Sequence, residues 1–267
     1  MTMLWPLVRK TLRDHWKITA AWTLGLILMG AAELWAYTFM STAGPGAQQF
    51  IDAFPESMRK MFRMDEYFSG PGFLGTELYS FMVELAFIAI GASFGAAATA
   101  GEEDRGTADV LFGLPIPRTR ILLSKMLALV VAEVGVGAAF VAFLWATMPL
   151  ANMQASITNV AITTMNCALL GMFCAGCAYA LGAFTGKRGL ALGAAIAVAI
   201  VSFVVYSLAP MVDALDTVVN FVPWQWTMGS DPLRTGADPA HLLLLSGTTA
   251  ALFAIAVFGF RRRDIAN

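Results

Sequence analysis

Apolar residues in this chain come in long unbroken runs, without the strict alternation of membrane-barrel strands. Six runs reach the roughly 20 residues that a helix needs to cross a bilayer. They are Ile18 to Met40, Tyr79 to Ala100, Ile121 to Pro149, Ile157 to Phe184, Gly189 to Ala209 and His241 to Phe260. The third and fourth are long and are expected to tilt or to project beyond the hydrocarbon. The pattern predicts an all-α membrane protein: one transmembrane domain over residues 1–267 with six spans.

Shorter stretches carry a helical period instead. Before the first span, Leu4, Trp5, Val8, Leu12, His15 and Trp16 recur opposite Arg9, Lys10, Arg13, Asp14 and Lys17. This reads as an amphipathic helix on the membrane surface, with a charged extension of the first span as the alternative. About 38 residues separate the first two spans. In them Phe50, Phe54, Met58, Met61 and Phe62 form an apolar stripe, and Pro55 is placed to start a short helix. The segment from Pro210 to Ala240 carries Trp224 and Trp226, residues favoured at a membrane interface. It is expected to form a small interfacial helix or a re-entrant hairpin.

Composition supports the membrane class. Apolar residues make up 58% and charged residues 13%, with a mean hydropathy of +0.69; a soluble domain carries about 25% charge. The net charge of -1 offers nothing to a nucleic acid. Charge also sets orientation, because Lys and Arg stay on the cytoplasmic side. With the amino terminus inside, Arg9, Lys10, Arg13, Lys17, Arg105, Arg118, Arg120, Lys125, Lys187, Arg188, Arg261, Arg262 and Arg263 are cytoplasmic. Only Arg59, Lys60, Arg63 and Arg234 are outside, thirteen against four, and both termini are expected inside. The first apolar run starts late and is too long for a signal-peptide core, so no cleavable leader is expected.

Catalytic and metal-binding patterns are scarce. Gly182-Ala-Phe-Thr-Gly186-Lys187-Arg188 lacks the glycine spacing and the Ser or Thr of a phosphate-binding loop. Cys167, Cys174 and Cys177 share one apolar span without nearby His or acid, so they read as small hydrophobes. Three acids lie within spans: Glu33, Glu84 and Glu133. Each should face protein or a water-filled cavity, or be protonated. They are candidates for a translocation path, with Glu133 nearest the midplane and Glu33 and Glu84 nearer the outer surface. Gly91-Ala-Ser-Phe-Gly95 and Gly189-Leu-Ala-Leu-Gly193 are spaced for close helix contact.

The most polar run, Gly101 to Lys125, falls between the second and third spans on the expected cytoplasmic side. Thr107 can cap a short helix with Asp109 near its positive end. Pro115 and Pro117 stop it. Val110, Leu111, Phe112 and Leu114 then form an apolar knob flanked by Glu102, Glu103, Asp104 and Arg105, suited to docking on a soluble partner. The run Glu102-Glu103-Asp104-Arg105-Gly106-Thr107, with Leu111, Leu114-Pro115, Pro117-Arg118 and Ile121-Leu122-Leu123-Ser124-Lys125, resembles the intracellular loop of type-2 ABC exporter permeases. The resemblance is specific over these 25 residues and looser over the six-span layout.

It implies that Thr107 to Leu114 is a coupling helix docking on a separate nucleotide-binding subunit, with Glu102, Glu103, Arg105 and Gly106 as adjoining transmission elements. It further implies a dimer of permease chains, homo- or heteromeric, in a bacterial inner membrane and surrounded by lipid. ATP and Mg would be bound by the partner subunit; no cofactor or catalytic residue is expected in this chain. Two other classes fit the residues alone: a proton- or cation-coupled secondary transporter using Glu133, and a non-transporting membrane sensor or scaffold.

Overall fold

The computed structural model describes residues 4–40, 52–61, 67–99 and 117–262. Among them the chain is helical, with five helices long and apolar enough to cross a membrane, or six if one bent pair counts as a single span. The long helices are α1 (Leu4–Met40), then α4 (Met82–Thr99), α5 (Arg118–Thr147), α6 (Ile157–Thr185), α7 (Arg188–Leu208) and α10 (Pro239–Arg262). Between them lie the short helices α2 (Glu56–Met61), α3 (Gly70–Phe73), α8 (Pro223–Met228) and α9 (Pro232–Thr235). The expected bounds of the last four spans agree with these helices to within a few residues, whereas the first helix begins 14 residues earlier and the second is longer and bent.

The amino-terminal segment is not a separate surface helix. It runs into the first span as one helix of 37 residues, about 55 Å long at 1.5 Å per residue. Nothing between Leu7 and Thr23 breaks it: Pro6 lies in the first turn, where a missing N–H costs little. Thr11, Thr19 and Thr23 bond back to carbonyls four residues earlier, and Lys10 pairs with Asp14 at 3.3 Å.

The second span begins before the expected Tyr79. Ser69 caps α3 by accepting from the Gly72 N–H at 3.1 Å, and a π-helical turn, Leu74–Leu78, continues it. The segment Gly70–Leu78 meets Met82–Ala98 at 44°. Phe73, Leu74, Leu78 and Tyr79 are fully buried there, and the Tyr79 hydroxyl lies 2.6 Å from the Thr164 hydroxyl of α6.

α6 is the centre of the bundle, flanked by α4, α5, α7 and α10. Its contact with α4 is backbone on backbone. A β-carbon built on Gly91 would stand 2.1 Å from the Gly171 carbonyl oxygen, and one on Gly95 2.6 Å from that of Ala175. The first small-residue pair thus serves a contact within the chain; Gly189 and Gly193 have no neighbour within 4 Å of that position. α6 ends at Gly186, whose φ of 65° turns the chain tightly into α7. α5 packs along α1 and onto α6.

The connections at the end of the bundle away from its basic residues are packed segments. Pro55 accepts from the Arg59 N–H at 3.0 Å, starting α2 within one residue of expectation, and α2 rests on the Ala209–Met211 turn. Trp224 and Trp226 are buried, Trp224 tilted against Phe203 of α7 and Trp226 edge-on to Phe173 of α6. Their indoles fill a gap between helix ends, so protein rather than headgroup covers them.

Candidate functional site: the α4–α5 base and the α4–α7 groove

The residues expected to couple to a partner, Glu102, Glu103, Arg105, Gly106, Thr107, Asp109, Val110, Leu111, Phe112 and Leu114, lie outside the described residues. What is described is the base on which they stand. α4 ends at Thr99 and α5 starts at Arg118, and the two are tied directly. Lys125, buried to 9% exposure, donates from Nζ to the Ala98 carbonyl at 3.0 Å. The last carbonyls of a helix have no partner within it and form its negative end, so an ammonium group there satisfies both. Beside this tie, His15 of α1 stacks on Phe94 of α4 with ring centroids 4.1 Å apart. By sequence Lys125 is a cytoplasmic charge and the last residue of the run that resembles the permease loop, with no partner assigned. Its signal was the setting, a lysine among Leu122, Leu123, Met126 and Leu127 one full turn inside an apolar run.

On its other face α4 borders a groove of 490 Å³ shared with α7. It runs from Ile18, Ala96 and Arg188 at the basic end of the bundle to Phe81, Phe203 and Trp224 at the opposite end. Ser93 lines it midway. Phe203 holds the far end by contacting Phe81 at 5.1 Å and Trp224 at 4.9 Å between centroids. The Trp224 N–H donates to Ser202 Oγ at 2.9 Å, which fixes α8 on α7. Arg188 is the one charged residue on this lining. A second groove of 510 Å³ lies between α1 and α5, lined by Trp16, Thr19, Thr23 and Val131 among others.

Glu33, Glu84 and Glu133 line neither of these grooves. Glu84 and Glu133 are fully buried. For Glu84 the cover is protein, one of the settings expected for an acid within a span. Glu84 is in electrostatic reach of Tyr79 and Cys167. The Glu133 carboxyl reaches from α5 to the α4–α6 crossing, where β-carbons on Gly171 and Gly91 would stand 2.7 and 3.2 Å from Oε1. It has no hydrogen-bond partner among the described residues. Glu33 is half-buried and faces Glu77, to which the Tyr67 hydroxyl donates. The Tyr67 phenol is pushed up by burial and by that bond, so it stays protonated and keeps donating.

Cys167 and Cys174 are buried and Cys177 is partly so, all as free thiols. Among the described residues no group of His, Cys, Asp and Glu is arranged to hold a metal ion.

Residues 5–265 match the family profile described as ABC-2 family transporter protein. The chain belongs to the ABC-2 transporter family. Among curated proteins, none matches it. It is therefore a multi-pass membrane permease, a transport component of a family that works with an ABC ATPase subunit, generally as dimers.

Proposed function

We propose that this ABC-2 chain is the membrane half of an ATP-driven exporter, hydrolysing nothing itself and coupled to a separate ATPase through residues 101–120. Two permease chains, identical or paired with a second type, enclose the path in a bacterial cytoplasmic membrane. The basic end of the bundle, with both termini, faces the cytoplasm. The partner binds ATP and Mg; this chain carries no recognisable phosphate-binding loop. What supports the reading is the α4–α5 hairpin of an ABC-2 family member, its base closed by Lys125, and the polar sequence of residues 100–117 between its helices with the apolar positions 110, 111, 112 and 114.

The steps follow from these parts. The ATPase closes on ATP and displaces Val110, Leu111, Phe112 and Leu114, while Glu102, Glu103 and Arg105 adjoin the stems. The displacement enters α4, one wall of the α4–α7 groove. The groove lining is apolar apart from Ser93 on α4 and Arg188 on α7, so the groove suits apolar or amphiphilic cargo. Glu33, Glu84 and Glu133 belong to the packing of the bundle in this reading.

Co-purification with the ATPase tests it. Wild type retains the ATPase and Phe112→Asp, still folded, loses it, because a carboxylate on the knob costs several kcal/mol to desolvate. If neither chain retains an ATPase, the exporter reading fails.

A further inference from the structure

The bond from Lys125 to Ala98 spans the whole polar connection. Its acceptor, Ala98, lies 27 positions earlier and next to the last residue of α4, so the tie closes residues 99–124 into a loop at its root. The lysine lies seven residues into α5, about two turns from its start. Burying an ammonium group costs several kcal/mol unless it is paired. A methionine would fill nearly the same volume without that penalty. Apolar packing, however, lets two helices slide, whereas a charge-assisted bond to one carbonyl fixes their register.

We propose that Lys125 is a positioning residue for energy coupling: it pins the ends of α4 and α5 together, so that a push on the 101–116 segment moves both as one lever. Without the pin the same push splays the stems and is lost. This rests on the exporter reading. The far arm of the lever is defined by contacts already described. Gly91 and Gly95 seat α4 on the backbone of α6, and the opposite face of α4 presents Ser93 to the groove.

The test uses the assembled permease–ATPase complex in lipid nanodiscs, with Ser93→Cys as reporter and Cys177→Ser to remove the part-exposed thiol. Labelling by a water-soluble maleimide is timed with and without ATP plus vanadate. With Lys125 present, trapping changes the rate about tenfold. In Lys125→Met the ATPase still co-purifies at wild-type level, but the change falls below about twofold; Lys125→Arg, which keeps the donor, restores it. A full response in Lys125→Met overturns the proposal, and so does loss that arginine fails to restore. Should the methionine variant not assemble, Lys125→Gln replaces it. Failure of both to assemble also overturns the proposal, since a transmission role requires a complex that forms without the pin. Absence of an ATPase, or of any ATP response with Lys125 intact, instead fails the exporter reading itself.

Discussion

Gly91 has no room for a side chain, because the Gly171 carbonyl oxygen stands where one would go. Gly91→Ala must push α4 off α6, and overpacking of this kind costs about 1–3 kcal/mol. Gly193→Ala meets nothing within 4 Å and gains helix propensity, so it is expected to leave stability unchanged or to raise it by up to about 1 kcal/mol. Thermal unfolding in detergent compares the two; equal effects would contradict the backbone contact. Glu133, at the same crossing, separates the transport classes. Glu133→Gln keeps the shape and should retain the ATP response of the groove, whereas a secondary transporter would lose gradient-driven transport with it. The crossing glycines were legible as a spacing. That Glu133 points at them was not, since residues 91, 133 and 171 meet only in three dimensions.

Element by element, the long spans were readable because burial in lipid demands continuous apolar sequence, whatever the packing. The bent start of the second span was not. Gly70, Pro71, Gly72, Gly75 and Glu77 dilute its hydropathy, and it is helical because Phe73, Leu74 and Leu78 are covered by protein. Tyr79 and Thr164 tie that bend to α6 at 2.6 Å. Thr164→Val, which removes one partner of a fully buried bond, is expected to cost about 1–3 kcal/mol. Tyr79→Phe should cost a similar amount, and the double variant clearly less than the sum, as a double-mutant cycle by thermal unfolding would read. The amino-terminal helix illustrates the opposite difficulty. Its periodicity was evident, but periodicity does not say where a helix bends, and α1 continues straight into the span in secondary structure.

For the whole molecule, the polar connection between the second and third spans stands out in sequence, while the groove does not. Its lining draws on α1, α4, α7 and α8, and the residues, mostly Ala, Ile, Leu and Phe, look like any membrane-facing surface. Lys125 joins the two levels, and only its partner's position revealed it. Orientation belongs to this scale also. With the basic end inside, Phe221→Cys, 74% exposed, reacts with an impermeant maleimide in intact cells, and Arg13→Cys reacts only after permeabilisation. The most direct measurement of the central claim is site-specific photo-cross-linking in cells that make the partner ATPase, with the photoreactive residue at position 112 or, as control, at 221. The account predicts an ATPase adduct from 112 and none from 221; an adduct from 221, or none from 112 in a folded chain, would contradict it.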